Sequence, residues 1–174
     1  MKPGSALAVR IRPGTEADID EVVRLSLAIW RHTLARQLGA GIEQWSVISG
    51  IMRAELIPIA RSILVVAHGQ QQIVGFSYRD RAMIEDLWVD PPFQGRGIGP
   101  QLLRAQIEAI AADGYRTASL ECLEANVHAR RFYEREGWRP IYRYSRASPL
   151  FRGDIPRVRF EYDIWRLGSH EDVG

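Results

Sequence analysis

The sequence predicts an α/β fold of the α+β kind, with one mixed, mostly antiparallel sheet carrying helices on both faces. Short β-rich runs joined by turn residues follow one another in the middle of the chain, as hairpins do. Later strands alternate with apolar stripes at helical spacing, as crossovers do. A chain of 174 residues with no linker-like stretch suits one domain with a real core. That domain is expected to span residues 1–174, with 168–174 a polar, flexible tail.

Leu7 to Arg12 alternate apolar and polar residues and read as the first strand. Thr15 is a good helix N-cap, with Glu16 and Asp18 in the first turn, and Ile19, Val22, Val23, Ser26, Leu27 and Trp30 make one helical stripe. The segment Arg31–Ala60 reads as helical but irregular, broken at Gly39-Ala40-Gly41 and weakened by Pro58. Ser62–Ala67 and Gln72–Tyr78 are β-rich runs around His68-Gly69-Gln70, a hairpin signal. Met83–Val89 is the next strand. The following helix has Ile98, Leu102, Leu103, Ile107 and Ile110 on its apolar side and Gly114 at its C-terminal cap. Tyr115–Leu123 reads as a strand, and Asn126–Glu136 as a short helix capped by Asn126, with Gly137 past its end. Strands near Arg139–Arg146 and Arg157–Trp165, separated by a loop Ser148–Pro156, close the chain. The predicted order is β-α-α-β-β-β-α-β-α-β-β.

Composition excludes several classes. Cys122 is the single cysteine, so no internal disulfide and no Cys-rich zinc site can form; no metal is expected, and a reducing, cytoplasmic setting is. No apolar run approaches the ~20 residues of a membrane span, and the N-terminus has no signal-peptide core. A net charge of +2 does not point to nucleic acid. Oligomeric state is left open, a homodimer included.

The most informative stretch is Gln94-Gly95-Arg96-Gly97-Ile98-Gly99-Pro100, between a strand and a helix start. The first N–H groups of a helix have no partner in the helix, and its dipole adds roughly half a positive charge there. Glycines at 95, 97 and 99 remove Cβ atoms that would hold a phosphate off those amides, and Arg96 adds a full charge. A Walker A loop needs Gly-Lys-Ser/Thr, which is absent; a dinucleotide fingerprint needs another glycine spacing, early in a βαβ unit.

Gln94-Gly95-Arg96-Gly97-Ile98-Gly99 resembles the Q/R-x-x-G-x-G/A signature of the GNAT superfamily of N-acetyltransferases. The segments IRPGTEADIDEV, IVGFSY, LWVDPPFQGRGIG and LECLEANVHARRFYEREGW are similar, in order, to that family's first strand and helix, third strand, fourth strand with pyrophosphate loop, and fifth strand with fourth helix. The resemblance implies acetyl-CoA as acyl donor, held through Gln94, Gly95, Arg96, Gly97, Ile98 and Gly99. It implies a sheet splayed between the fourth and fifth strands, with the backbone of Leu87 and Val89 bonding the pantetheine arm and thioester carbonyl. It also implies a second role for Asn126 on that arm, beside capping its helix. Pro100 departs from the pattern by removing one possible N–H donor.

Acetyl transfer to an amine needs a deprotonated amine, a stabilised oxyanion and an accommodated thiolate. Tyr133 lies seven residues after Asn126, on nearly the same helical face, and the resemblance puts it at the catalytic tyrosine, against the thioester sulfur. Glu85 and Glu121 are the candidate bases. Glu85 lies four residues before Val89 and so is expected to share a strand face with Leu87 and Val89; Glu121 stands where many family members have a glutamate. His32 is a lesser candidate for the acceptor cleft, and Cys122 is expected on the face opposite Glu121. Trp30, Trp45 and Trp88 either pack the core or line that cleft. Arg143, Arg146 and Arg152 gather near the last strands, where a basic rim would suit an acceptor bearing a carboxylate or phosphate. The expected reaction is direct acetylation of a primary amine on a small molecule or peptide. A protein N-terminal α-amine acetyltransferase, a non-catalytic CoA-binding module and a nucleotide-binding domain are the alternatives.

Overall fold

The computed structural model describes residues 9–38, 45–68, 72–147 and 154–165; of positions 29–38 and 45–48 only the backbone is described. The side chains of Trp30, His32 and Trp45, the hairpin turn at Gly69-Gln70, and Arg152 therefore lie outside the described residues. The elements follow the predicted order: β1 Val9–Pro13, α1 Ile19–Leu38, α2 Trp45–Leu56, β2 Ile63–His68, β3 Gln72–Asp80, β4 Met83–Val89, α3 Ile98–Ala112, β5 Thr117–Leu123, α4 Val127–Arg135, β6 Arg139–Ala147 and β7 Asp154–Asp163. The last strand starts three residues before its expected position, so the loop ahead of it is shorter at that end. The cause is local: Ile155 and Val158 are buried and pull Asp154–Pro156 into register with β6.

Local chemistry sets the helix boundaries. Thr15 leads a short 3-10 turn, Glu16–Asp18, that runs into α1. Asp18 accepts from Thr15 N and Oγ1 at 2.8 Å and takes both Arg12 nitrogens at 2.7 and 2.8 Å, tying β1 to the start of α1. Gly114 and Gly137 end α3 and α4 at φ +86°, the left-handed turn that glycine adopts freely.

The sheet has the order β1-β2-β3-β4-β5-β7-β6, antiparallel except between β4 and β5. On one face α1 buries Ile19, Val22 and Leu25 against Ile63, Val65 and Phe76. On the other, α3 places Ile98 and Leu102 against Val66 and Val74, and Leu103, Ile107 and Ile110 against Ala118, Leu120 and Phe160. Each fully buried aliphatic side chain is worth about 1.5–3 kcal/mol over exposure, so this apolar stripe is what docks α3 across both halves of the sheet.

Two irregularities shape the centre. The parallel strands β4 and β5 pair only at Met83–Ser119 and Ile84–Leu120, and beyond those rungs they separate. The splay expected from the family resemblance is thus present. In β4, Tyr78 pairs with Asp86 but Arg79 with Ile84, which leaves Glu85 as an extra, bulged residue. The bulge resets the side-chain alternation. Ile84 packs in the core that contains Leu103 and Ile107, and Leu87 and Val89 also pack on the α3 side, three and five residues later. Glu85 therefore does not share a face with Leu87 and Val89, contrary to strict period-two counting; it is exposed on the opposite face.

Candidate active site

The gap between β4 and β5 opens toward the N-terminus of α3. Asp90 N donates to Val74 O at 2.9 Å, so at Asp90 the backbone of β4 turns toward β3. By alternation, the N–H and C=O groups of Leu87 and Val89 point the other way, into the gap. The Val89 carbonyl accepts from the Gln94 side chain at 2.9 Å, so Gln94 fastens the glycine turn to the end of β4.

The turn is built from two left-handed glycines, Gly95 at φ +71° and Gly97 at φ +79°, the latter being the N-cap of α3. A Cβ on Gly95 would meet nothing within 4 Å, and one on Gly97 only the Gln101 side chain at 3.8 Å. Their surroundings are open, and the backbone angle is what demands glycine. Gly99 is different. A Cβ there would stand 3.3 Å from Phe132 Cζ, so the third glycine lets α4 approach α3 rather than clearing space for a phosphate. Gln101 N donates to Gly97 O at 3.3 Å, the first bond of α3. Amides before it have no intrahelical acceptor, so Pro100 costs the helix nothing but removes one free donor. The Arg96 guanidinium lies 5.7 Å over the Phe93 ring, beside the turn.

Tyr133 comes from α4 on the α3 side of the sheet. It is 9 % exposed and packs against Phe132, Trp138 and Phe160 at ring distances of 5.2–6.3 Å. Burial, and after it the Cys122 and Asp86 side chains, hold its phenol well above the ordinary range. It is a proton-bearing donor at any physiological pH. Asn126 caps α4, its Oδ1 accepting from Ala129 N at 3.1 Å. Cys122 is buried in the same core, its thiol pushed up to about 12 by desolvation, which makes it inert. As expected, it faces away from Glu121.

The opposite face carries the charged groups. Although the residue is exposed, partial desolvation of its carboxyl, then Asp86, Glu121 and Asp80, raise Glu85 above its usual value. Asp86, which the sequence reading did not single out, is raised first by burial, against the pull of its hydrogen bond from Trp88 Nε1 at 2.9 Å and of Arg157. Trp88 packs on the α1 side of the sheet. Across the gap, Glu121 lies 3.6 Å from Arg159 Nη1 and 3.9 Å from both Arg146 and Arg157 Nη1. Tyr144 is pushed up to about 12 by burial and by Glu121. Of the arginines expected at this rim, Arg146 joins the group, Arg143 pairs with Glu124 at 2.9 Å on the other face, and Arg152 lies outside the described residues. Arg157 and Arg159 were missed, although Arg157-Val158-Arg159-Phe160 alternates with the period of a one-sided strand. His128 is exposed, and the His68 ring lies 5.4 Å from that of Phe93. Among the described residues no cluster of His, Cys, Asp or Glu is placed to hold a metal ion, and no helix is long and apolar enough to cross a membrane.

Comparison with known proteins gives this geometry a context. The family model described as the acetyltransferase (GNAT) family matches residues 54–138, from the end of α2 to the residue before β6. Over 102 residues, 51 % of this chain and 70 % of the other, the sequence is 30 % identical to the [ribosomal protein bS18]-alanine N-acetyltransferase of Haemophilus ducreyi. The apo form of YjaB from Escherichia coli superposes with a TM-score of 0.71 at 20 % identity, covering 89 % of this chain and 97 % of that one. YncA from Salmonella typhimurium, solved with acetyl-CoA, gives 0.66 at 17 % identity, covering 90 % and 94 %.

Proposed function

The chain belongs to the GNAT acetyltransferase family, and on that premise we propose that it moves an acetyl group from acetyl-CoA to a primary amine of a small molecule or peptide, by direct attack within a ternary complex. The observation that carries the proposal is the alignment of the β4–β5 gap with the glycine turn at the start of α3 and with buried Tyr133 on α4. The residues present suit the donor: left-handed Gly95 and Gly97 leave open space, where a side chain would be strained, and the outward backbone groups of β4 line the gap. Bound there, acetyl-CoA supplies an activated thioester.

The chain's own groups then have distinct tasks. The amides of the turn through Gly99, with Arg96, hold the pyrophosphate. The outward amides of Leu87 and Val89 face the pantetheine arm, and one of them donates to the thioester oxygen as negative charge develops there. Asn126 adds a contact to the arm beside its capping role. The acceptor ammonium loses one proton to Glu85 or Glu121, directly or through water; its nitrogen bonds to the acetyl carbon, and as the carbon–sulfur bond breaks the second proton leaving the nitrogen passes to the departing thiolate. Tyr133 donates a hydrogen bond to the departing sulfur. With its phenol held above an already weak acidity, complete proton transfer to a thiolate is uphill, so a hydrogen bond is the role the chemistry favours.

A protein N-terminal α-amine is the second reading of the acceptor, favoured by the identity to an enzyme named for a ribosomal-protein alanine. One experiment tests the main proposal in two stages. Coenzyme A should raise the melting temperature, because it binds only the folded state, and Gly97→Val should remove that rise. Thiol release with acetyl-CoA and a panel of amines and N-terminal peptides should then identify the acceptor. A folded protein unaffected by millimolar coenzyme A refutes the site; binding without release on any amine refutes the activity.

A further inference from the structure

The floor of the β5-β7-β6 face holds more donors than the acceptors among the described residues engage. Three guanidinium groups, of Arg146, Arg157 and Arg159, surround the single carboxylate of Glu121 at 3.6–3.9 Å, beyond hydrogen-bonding distance. Arg159 Nη1 makes its one hydrogen bond among the described residues to the Met83 sulfur, at 3.2 Å. Arg157 Nε is buried with no hydrogen-bond partner among the described residues, and the Tyr144 hydroxyl is buried beside Glu121 without a bond of full hydrogen-bond geometry. Buried donors of this kind are rare in folded proteins and each costs stability, so a cluster of them beside a cleft marks a place a ligand completes.

The charges on this face are also sorted. Glu85 and Asp86 lie on β4, at one lip of the gap; the arginines lie on β7 and β6, two and three strands away in the order β4-β5-β7-β6. Glu121 on β5 stands between them. With strands about 4.8 Å apart, an acidic lip and a basic floor are separated by the length of a short organic molecule. That arrangement matches an ammonium at one end and an anion at the other, and a guanidinium fork takes a carboxylate in two parallel hydrogen bonds.

We infer, on the acetyltransferase reading above, that the acceptor is an amine that also carries a carboxylate within a few bonds, its amine at Glu85 and Glu121 and its carboxylate on Arg157, Arg159 and Arg146, with Tyr144 as an additional donor. A free amino acid and a peptide with an acidic residue beside its terminal amine share this chemistry.

The experiment compares kcat/KM for thiol release on matched pairs: amino acids against their carboxamides, peptides with Asp or Glu against Asn or Gln at the second position, and an aminoalkyl phosphate of equal length. The carboxylate member should be preferred roughly 10- to 100-fold, the worth of one or two charge-assisted hydrogen bonds. Arg157→Gln and Arg159→Gln should shrink that ratio toward one, acting mainly on KM, and Arg157→Lys should restore part of it. Preference within the free amino acids or within the peptides identifies the source. Equal rates on both members of every pair, a preference for phosphate, or variants that lower both members alike while keeping the coenzyme A shift would overturn the inference and leave the acetyltransferase reading standing. Failure to acetylate any amine, despite coenzyme A binding, would remove that reading and the inference with it.

Discussion

Gly99 on α3 and Phe132 on α4 are in direct contact: a methyl group added at Gly99 would come within 3.3 Å of the Phe132 ring. Phe132 is the neighbour of Tyr133, so the spacing of the two helices also sets where the tyrosine stands. Gly99→Ala should therefore press on the Phe132 ring and lower kcat, its effect on melting being that displacement set against alanine's better helix propensity, while the turn at Gly95 and Gly97 keeps its backbone. Thermal unfolding and steady-state kinetics on the same preparation check this. A variant with wild-type melting and turnover would remove the helix contact from the account.

If the phenol acts on the departing sulfur as proposed, Tyr133→Phe should reduce kcat by about 100-fold with little change in the thermal shift produced by coenzyme A. Turnover measured with the best acceptor decides it. Since the phenol is held well above its ordinary range, no basic limb below pH 10 should be attributable to Tyr133 ionisation.

The proton acceptor is read from pH dependence. Glu85 is raised by partial desolvation and acidic neighbours, which brings it nearer the working range of a general base. The logarithm of kcat/KM should rise with pH to a plateau, and Glu85→Gln or Glu121→Gln should lower that plateau. Neutralising a lysine-like amine at pH 7 costs about 4.6 kcal/mol and an α-amine about 1, so the loss should be large for the first and small for the second. Profiles of both variants that overlay the wild type would exclude both carboxylates.

Asp18 gives the fold an acid-sensitive joint. Its hydrogen bonds with Arg12, helped by Thr15 and opposed by burial, bring the carboxyl down to about 2. A carboxyl depressed on folding contributes stability that is complete above its unfolded value near 3.9 and disappears as pH falls toward the folded value. About 2 kcal/mol should be lost between roughly pH 4 and pH 2, and Asp18→Asn should flatten that part of the curve. Urea midpoints measured across this interval test it.

Much of this was legible in the sequence because it depends on local rules. The stripe of α3, the capping of α1 and α4 by Thr15 and Asn126, and the burial of Cys122 opposite Glu121 all follow from spacing and residue type. The bulge at Glu85 was not legible, because period-two counting along β4 cannot show where its register against β3 shifts. The role of Gly99 was hidden for a related reason: only the packed structure shows which helix lies against it. Arg157 and Arg159 were readable as alternating strand residues, but their convergence on Glu121 depends on β7 lying between β5 and β6, a non-sequential strand order.

The two rungs between β4 and β5 also divide the protein as a material. On one side β1 to β4 share cores with α1 and the first turns of α3; on the other, β5 and β7, with β6 paired along β7, share theirs with α4, the rest of α3 and Ile84 at the base of β4. Among the described residues, α3 and the base of β4 are riveted to both. Opening fluctuations should follow that seam, with the C-terminal three strands and α4 exchanging their amide hydrogens as one cooperative block and α3 among the last segments to exchange. A molecule lodged along the seam would then slow exchange in both blocks at once, and the enzyme would register its donor as a stiffening of the whole sheet.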